Sequence, residues 1–298
     1  MSPFNALKLI KSYRVEHGKK FRLKDCDAAD TQGLDLKEEA NDLLKKSVVR
    51  LSDMQEKLYA QDRWALLLIF QAMDAAGKDS VIQHVMSGVN PQGCQVYSFK
   101  APSAEDLSHD FLWRTSKSLP QRGHIGIFNR SYYEEVLVVR VHPRLLANER
   151  MPASLVAKKI WKERFEDINS FETHLDRDGV LVRKFFLHVS KEEQKKRFLA
   201  RLDHPDKNWK FSQDDVRERE RWDDYMSAYE DMIRHTASPR APWYVVPADH
   251  KWFTRLVVAS AIVHTLESLK LSFPAVDPQK KKDIDSARKL LLEESSGS

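Results

Sequence analysis

Cysteine is scarce in this 298-residue chain. Cys26 and Cys94 are the two present, far apart and at no metal-ligating spacing. That argues against a disulfide framework or a thiolate metal site, and both thiols are expected free in a reducing compartment. Long apolar runs are also missing: none approaches the roughly 18 residues needed to span a membrane. Residues 1–22 mix Lys, Arg, Glu and Asn and lack the apolar core of a signal peptide, so a cytoplasmic location is expected. There is no internal repeat. No Ser/His/Asp or Cys/His set with sensible roles stands out, and His188 and His250 read as structural. The aromatics are not interleaved with basic residues as nucleic-acid binders require. Neither nucleic acid nor a membrane is an expected partner.

What is present suffices for a sizeable core: 42% of residues are hydrophobic and 10% aromatic. The length suits one large domain or two small ones. The net charge of +5 is modest against 49 basic and 44 acidic residues. Where the basic residues cluster therefore matters more than their sum.

Apolar residues recur at helical spacing over residues 35–59, from Leu36 through Leu44 and Leu51 to Leu58. Residues 65–70 read as a buried parallel strand, followed by a helix over 78–88. Further strands are expected at 96–100, 124–128, 180–189 and 243–246. Ser103 and Asp106 form a capping box that opens a helix through Leu119. Residues 136–141 fit either a strand or a helix. Helices are expected over 152–175, over 190–236 with one break at 202–212, and over 252–269. Residues 1–33 read as a polar, irregular extension. From Phe273 the chain is polar, contains proline, and reads as disordered. Strands alternating with helices imply an α/β fold with a parallel sheet covered on both faces. Ligands should then bind at the carboxyl ends of the strands, at residues 74–80, 100–103, 129–131 and from 191 onward.

The first of these ends carries the strongest signal. Residues 65–80 run ALLLIFQAMDAAGKDS, an apolar strand opening into a helix through a Gly-Lys turn. Such a turn aims free backbone N–H groups and a lysine at phosphate. The usual pattern is G-x-x-x-x-G-K-[ST]. Ala72 replaces its first glycine and Asp79 its hydroxyl, with Ser80 one position late. Asp74 puts an acid among phosphates, which calls for a shared cation. At the third strand end, Asn129 stands where a metal-holding Asp is usual, Arg130 offers a bidentate phosphate contact, and Glu134 and Glu135 add charge. Residues 191–221 are crowded with Lys and Arg. That stretch reads by default as a solvated helix balanced by Glu192, Glu193, Glu218 and Glu220. Its break, DHPDKNWK at 203–210, also suits a hinged lid that lowers arginines onto a transferring phosphoryl group. The aromatics at 243–252 are core or the lining of a base pocket, and Lys280, Lys281 and Lys282 read as solvated.

Taken together, QAMDAAGKDS (71–80), SGVNPQG (87–93), FKAPS (99–103), SHDFLWR (108–114), GIFNRSYYEEVLVVRVH (126–142), RLDHPDKNWKFS (201–212) and APWYVVPADHKW (241–252) resemble the polyphosphate kinase 2 family. The resemblance runs from about residue 13 to 273, and Asn in FNRS is similar to the class III branch. It implies a thymidylate-kinase-like P-loop fold of three layers with a helical lid at about 201–235, in a domain spanning 34–273. It also implies reversible transfer of the terminal phosphoryl group of inorganic polyphosphate to AMP and ADP, giving ADP and ATP. Mg²⁺, with Mn²⁺ as an alternative, would be the cofactor, and dimers or tetramers the assembly. By position, Asp74, Lys78, Asn129 and Arg130 are the expected catalytic residues. Ala75, Ala76, Gly77, Asp79, Ser80, Arg197, Arg201, Lys207, Lys210 and Arg217 are expected to bind phosphate. Asp74, Asn129 and Glu134 are the expected metal ligands. Two other readings stay open: an ATP-dependent nucleoside monophosphate kinase, which Ala72 and Asp79 disfavour, and a non-catalytic polyanion binder, which Asn129 allows.

Overall fold

The computed structural model describes residues 6–34, 37–210 and 212–294. Six strands, β1 Arg14–Val15, β2 Ala65–Gln71, β3 Cys94–Ser98, β4 Ile125–Asn129, β5 Val180–His188 and β6 Trp243–Pro247, form one sheet in the order β1-β6-β5-β2-β4-β3. All pairings are parallel except that of β1 with β6. The helices are α1 Ala6–Lys11, α2 Lys37–Gln61, α3 Lys78–Val85, α4 Trp113–Ser116, α5 Val138–Val141, α6 Ile160–Arg177, α7 Lys191–Leu202, α8 Gln213–Arg217, α9 Trp222–Thr236, α10 Lys251–Ser268 and α11 Pro278–Glu294. The fold is α/β, a mostly parallel sheet flanked by helices, as the sequence implies.

The central strand β2 is buried at every position. A strand covered on both faces must be apolar throughout, which is why ALLLIF does not alternate. Truncating Leu67, fully buried, to Ala would cost about 2–5 kcal/mol. The apolar helix α10 packs against α1, α2 and α3, and α6 packs against β5 and α9. Because β2, β4 and β5 run parallel, the turns after Gln71, Asn129 and His188 emerge at one edge of the sheet.

Three segments differ from the sequence reading, and a fourth decides an alternative it left open. Residues 1–33 are not irregular where described: Leu9, Ile10 and Tyr13 are buried, and the two-residue β1 covers the edge of β6. The helix expected over 103–119 breaks into a 3₁₀ turn at Asp106–Ser108 and α4. The capping box does form, with Ser103 N–H donating to Asp106 at 2.8 Å and Asp106 N–H to Ser103 Oγ at 3.1 Å. Asp110 then accepts from Leu112 N–H and starts a new turn. Residues 136–141 resolve as helix, a 3₁₀ stretch at Tyr132–Val136 running into α5. The tail expected to be disordered forms α11, exposed along its length, with residues 295–298 outside the described part. Asp277 accepts from Lys280 N–H at 2.8 Å and Pro278 takes the first helical position, a start signal followed by good helix formers.

Candidate active site

The turn from β2 into α3 is held by its own lysine. Lys78 Nζ donates to the Ala72 carbonyl at 2.8 Å, so the loop curls around the ammonium. Gly77 adopts φ +106° at the helix N-cap, and Ala75 stands at φ +61°. Glycine occupies the first position without strain; alanine at the second holds a left-handed backbone that L-residues disfavour. Burial pulls the Lys78 ammonium below its ordinary pKa, while Asp74 acts the other way.

Opposite the loop, β4 ends in Asn129 and Arg130. Arg130 adopts φ +65°, and its N–H donates to the Phe70 carbonyl at 3.0 Å, which fixes the turn to β2. Its guanidinium lies 2.8 Å from Asp74 and 3.5 Å from Glu134. Glu134 and, after the opposing effect of burial, Asp74 hold Arg130 firmly protonated. Asn129 Nδ2 donates to Asp79 Oδ1 at 2.7 Å. The amide thus supplies a donor to the loop acid where a carboxylate would repel it.

These residues line a cleft of about 700 Å³, joined by Lys100, Arg201 and Lys251. A second, more apolar pocket of about 320 Å³ adjoins it and shares Lys100, Ala101 and Arg130. Leu107, Phe111, Val138, Val139 and Leu145 furnish its apolar walls, and Arg114, Asn148, Glu135 and Glu149 its polar ones. Burial, reinforced by Glu149, pushes the Glu135 carboxyl up to about 8, against the pull of Arg164. Arg164 lies 3.2 Å from Glu135 and 2.8 Å from Glu149.

The structure brings Asp74, Ala75, Gly77, Lys78, Asp79, Ser80, Asn129, Arg130, Arg197 and Arg201 to the first cleft. Ala76 is buried beneath the loop rather than lining the cleft. Three of the expected site residues make other contacts in the structure. Arg197 is not placed to grip phosphate: its Nε donates to Glu193, its Nη1 to the Ala75 and Ala76 carbonyls, and its Nη2 to those of Ala248 and Asp249. These five bonds use all five guanidinium donors. Arg217 is exposed, pairs with Asp214 at 3.4 Å and lies off the cleft. Glu134 is tied at both oxygens, accepting from Gln71 at 3.0 Å and Arg130 at 3.5 Å, and so is not poised for a metal. The side chains of Lys207 and Lys210 lie outside the described residues.

The sequence reading marked the strand end at Lys100 without giving it a role, and it missed Lys251, Arg255 and Gln194. Arg255 donates to Ser80 Oγ at 2.9 Å, and Gln194 Nε2 to the Asp74 carbonyl at 2.8 Å. Lys100 and Lys251 follow strands β3 and β6 at their carboxyl ends, which is the signal that could have found them. Gln194 and Arg255 sit inside helices, where sequence offers no such signal.

The model of the polyphosphate kinase 2 (PPK2) family matches residues 34–274. This chain belongs to the polyphosphate kinase 2 family. It is 54% identical over 283 residues to an ADP-polyphosphate phosphotransferase of Rhodopseudomonas palustris, covering 95% of this chain and 98% of that one. It is 42% identical over 276 residues to an AMP/ADP-polyphosphate phosphotransferase of Meiothermus ruber, covering 92% and 99%. Among solved structures, polyphosphate kinase 2 from Arthrobacter aurescens TC1 superimposes with a TM-score of 0.86 at 41% identity, covering 96% of each chain. Among the described residues, no helix is long and apolar enough to cross a membrane.

Proposed function

We propose that this chain transfers the terminal phosphoryl group of inorganic polyphosphate to AMP and ADP, forming ADP and ATP. The observation that carries this reading is the pair of adjoining cavities with Arg130 and Lys100 in their common wall. The cleft over the phosphate loop carries Lys78, Lys100, Arg130, Arg201 and Lys251 against Asp74 and Asp79, an excess of cations that suits a linear polyanion. The apolar second pocket suits a nucleoside. A phosphate of the acceptor and the end of the donor chain would then meet at Arg130. The names of the relatives from R. palustris and M. ruber support both acceptors.

In the transfer, an oxygen of the acceptor's last phosphate forms a bond to the terminal phosphorus of the donor. The bridging P–O bond breaks and the shortened chain leaves with that electron pair. The attacking oxygen is already ionised at neutral pH, so no general base is needed, and a neutral Asn129 is compatible with turnover. Lys78 and Arg130 neutralise charge on the phosphoryl oxygens in flight. Arg201, on the lid arm and 3.9 Å from Asp215, is poised to add a third positive charge. The donor set beside Lys78 fits a divalent cation such as Mg²⁺: Asp74 and Asp79 are carboxylates, and Asn129 brings an amide oxygen. Among the described residues no group of three or more His, Cys, Asp or Glu could hold a metal by itself. The cation would therefore be shared with phosphate oxygens, as Mg²⁺ sites in kinases are. When bound, it would neutralise charge on those oxygens. A cytoplasmic site of action is supported by the free thiols of Cys26 and Cys94.

The test is a time course with AMP, polyphosphate and Mg²⁺ and no other donor. ADP should accumulate and then convert to ATP. Absence of both products at every Mg²⁺ concentration would refute the reading.

A further inference from the structure

Carbonyls of the phosphate loop are held from outside. Gln194 Nε2 takes the Asp74 carbonyl at 2.8 Å, and Arg197 Nη1 takes those of Ala75 and Ala76 at 3.2 and 2.7 Å. Both residues lie on α7, the helix that leads into the lid, and both are buried. Arg197 also grips the Ala248 and Asp249 carbonyls after β6, at 2.6 and 3.0 Å. One guanidinium thus ties two strand-end turns to the helix carrying the lid.

We propose that Arg197, with Gln194, is a positioning residue that shapes the loop into a polyphosphate cradle without touching polyphosphate. In a trans peptide, the C=O of one residue and the N–H of the next point in opposite directions. Pinning the Asp74 and Ala76 carbonyls toward α7 therefore turns the N–H groups of Ala75 and Gly77 the other way, toward the cleft that both residues line, while the Ala76 N–H between them donates to the Met73 carbonyl at 3.3 Å. Two loop N–H groups turned to one side offer an anion a pair of fixed donors. Ala75 is strained at φ +61°, and a non-glycine holds that conformation only when its surroundings enforce it. Arg197 supplies the enforcement.

The inference rests on reading the cleft as the polyphosphate site, and the experiment separates the two. Polyphosphate binding to the full-length protein is measured by calorimetry across a series of KCl concentrations, together with steady-state kinetics on ADP. The proteins are the parent, Arg197→Met, Gln194→Met and Arg201→Met. Each direct cation–phosphate contact adds about 0.7–0.9 to the slope of log K against log salt, by analogy with nucleic acids. Arg201→Met should lower that slope. Arg197→Met should weaken binding about tenfold or more at every salt concentration with the slope unchanged. It should also lower kcat about 10²-fold, the scale for a 1 Å misplacement, with KM for ADP within about twofold. Gln194→Met should act in the same direction to a smaller extent, and it keeps the test decisive if Arg197→Met does not fold. A slope reduced in Arg197→Met as in Arg201→Met would make Arg197 a direct contact and overturn the inference. Unchanged affinity and kcat in both Arg197→Met and Gln194→Met would overturn it too. A parent that neither binds nor consumes polyphosphate would instead refute the functional reading.

Discussion

The guanidinium of Arg130 lies 2.8 Å from the carboxylate of Asp74, so the acid of the phosphate loop and the base of the β4 turn face each other across the cleft. Each is the other's stand-in partner. On the function proposed above, a phosphate arriving with a cation would offer Arg130 an anion and Asp74 a cation, and the pair would exchange partners with little net change in charge. An acid that looks misplaced in the sequence keeps the substrate-free loop neutralised.

Asp74→Ala and Lys78→Ala should each lower kcat by about 10²-fold or more, the scale for losing one preorganised charge-stabilising contact. Initial rates of ATP formation from ADP and polyphosphate measure it. Turnover near that of the parent in either variant would contradict the assigned roles.

Arg130→Lys should be poorly tolerated. The ammonium keeps the charge but loses the planar fork that reaches Asp74 and Glu134 together. Because Arg130 lines both cavities, KM should rise for polyphosphate and for ADP alike. A change confined to one substrate would show that the residue serves only one cavity.

Behind the site, Lys184 is fully buried. Its Nζ donates to Glu172 at 2.6 Å, Tyr133 Oη at 3.1 Å and the Thr236 carbonyl at 2.7 Å. Burial lowers the Lys184 pKa, and Glu172 resists that pull. Lys184→Met alone should destabilise by about 3–5 kcal/mol, because Glu172 is left buried with no cation. The double change Lys184→Met with Glu172→Leu should recover part of the loss. Urea unfolding of the three proteins decides it; a double variant less stable than Lys184→Met would refute the account.

Stability should fall as pH rises from about 5 to 8. Glu135 titrates near 8 in the folded protein and near 4.5 when unfolded, so over that window the folded state binds more protons than the unfolded one. The stabilisation is complete below the unfolded value and is lost as pH climbs through the folded one. Glu135→Gln should flatten this slope and melt above the parent at pH 9. Melting curves at pH 6 and 9 test it, and an unchanged slope would count against it.

Much of this was legible in sequence wherever a residue acts through its neighbours along the chain. The apolar run before Gly77-Lys78 marks a covered strand and the loop it feeds, and the lid break at 202–212 coincides with the end of α7 at Leu202 and the cap at Ser212. The roles of Arg197 and Glu134 were not legible. Both are defined by partners brought near by folding: Ala75 and Ala248 lie 122 and 51 residues from Arg197, and Gln71 lies 63 from Glu134. Residue type suggested a phosphate contact and a metal ligand; the distant partners could not be read from type. The helix in the tail went unread for a different reason, since polar composition and proline suggested disorder while Asp277-Pro278 is a helix start.

The apolar character of the second pocket has one more consequence. An acceptor that enters as a monophosphate and is extended twice must present a different phosphate to Arg130 on each round, so its base must seat at two depths. A pocket that read the base through many directional hydrogen bonds would fit one depth and exclude the other. Walls such as Val138, Val139 and Leu145 impose no such registration, and a base seated against them would slide by one phosphate and keep its apolar contacts. Loose hold on the base is then what would let a single site catalyse two successive extensions.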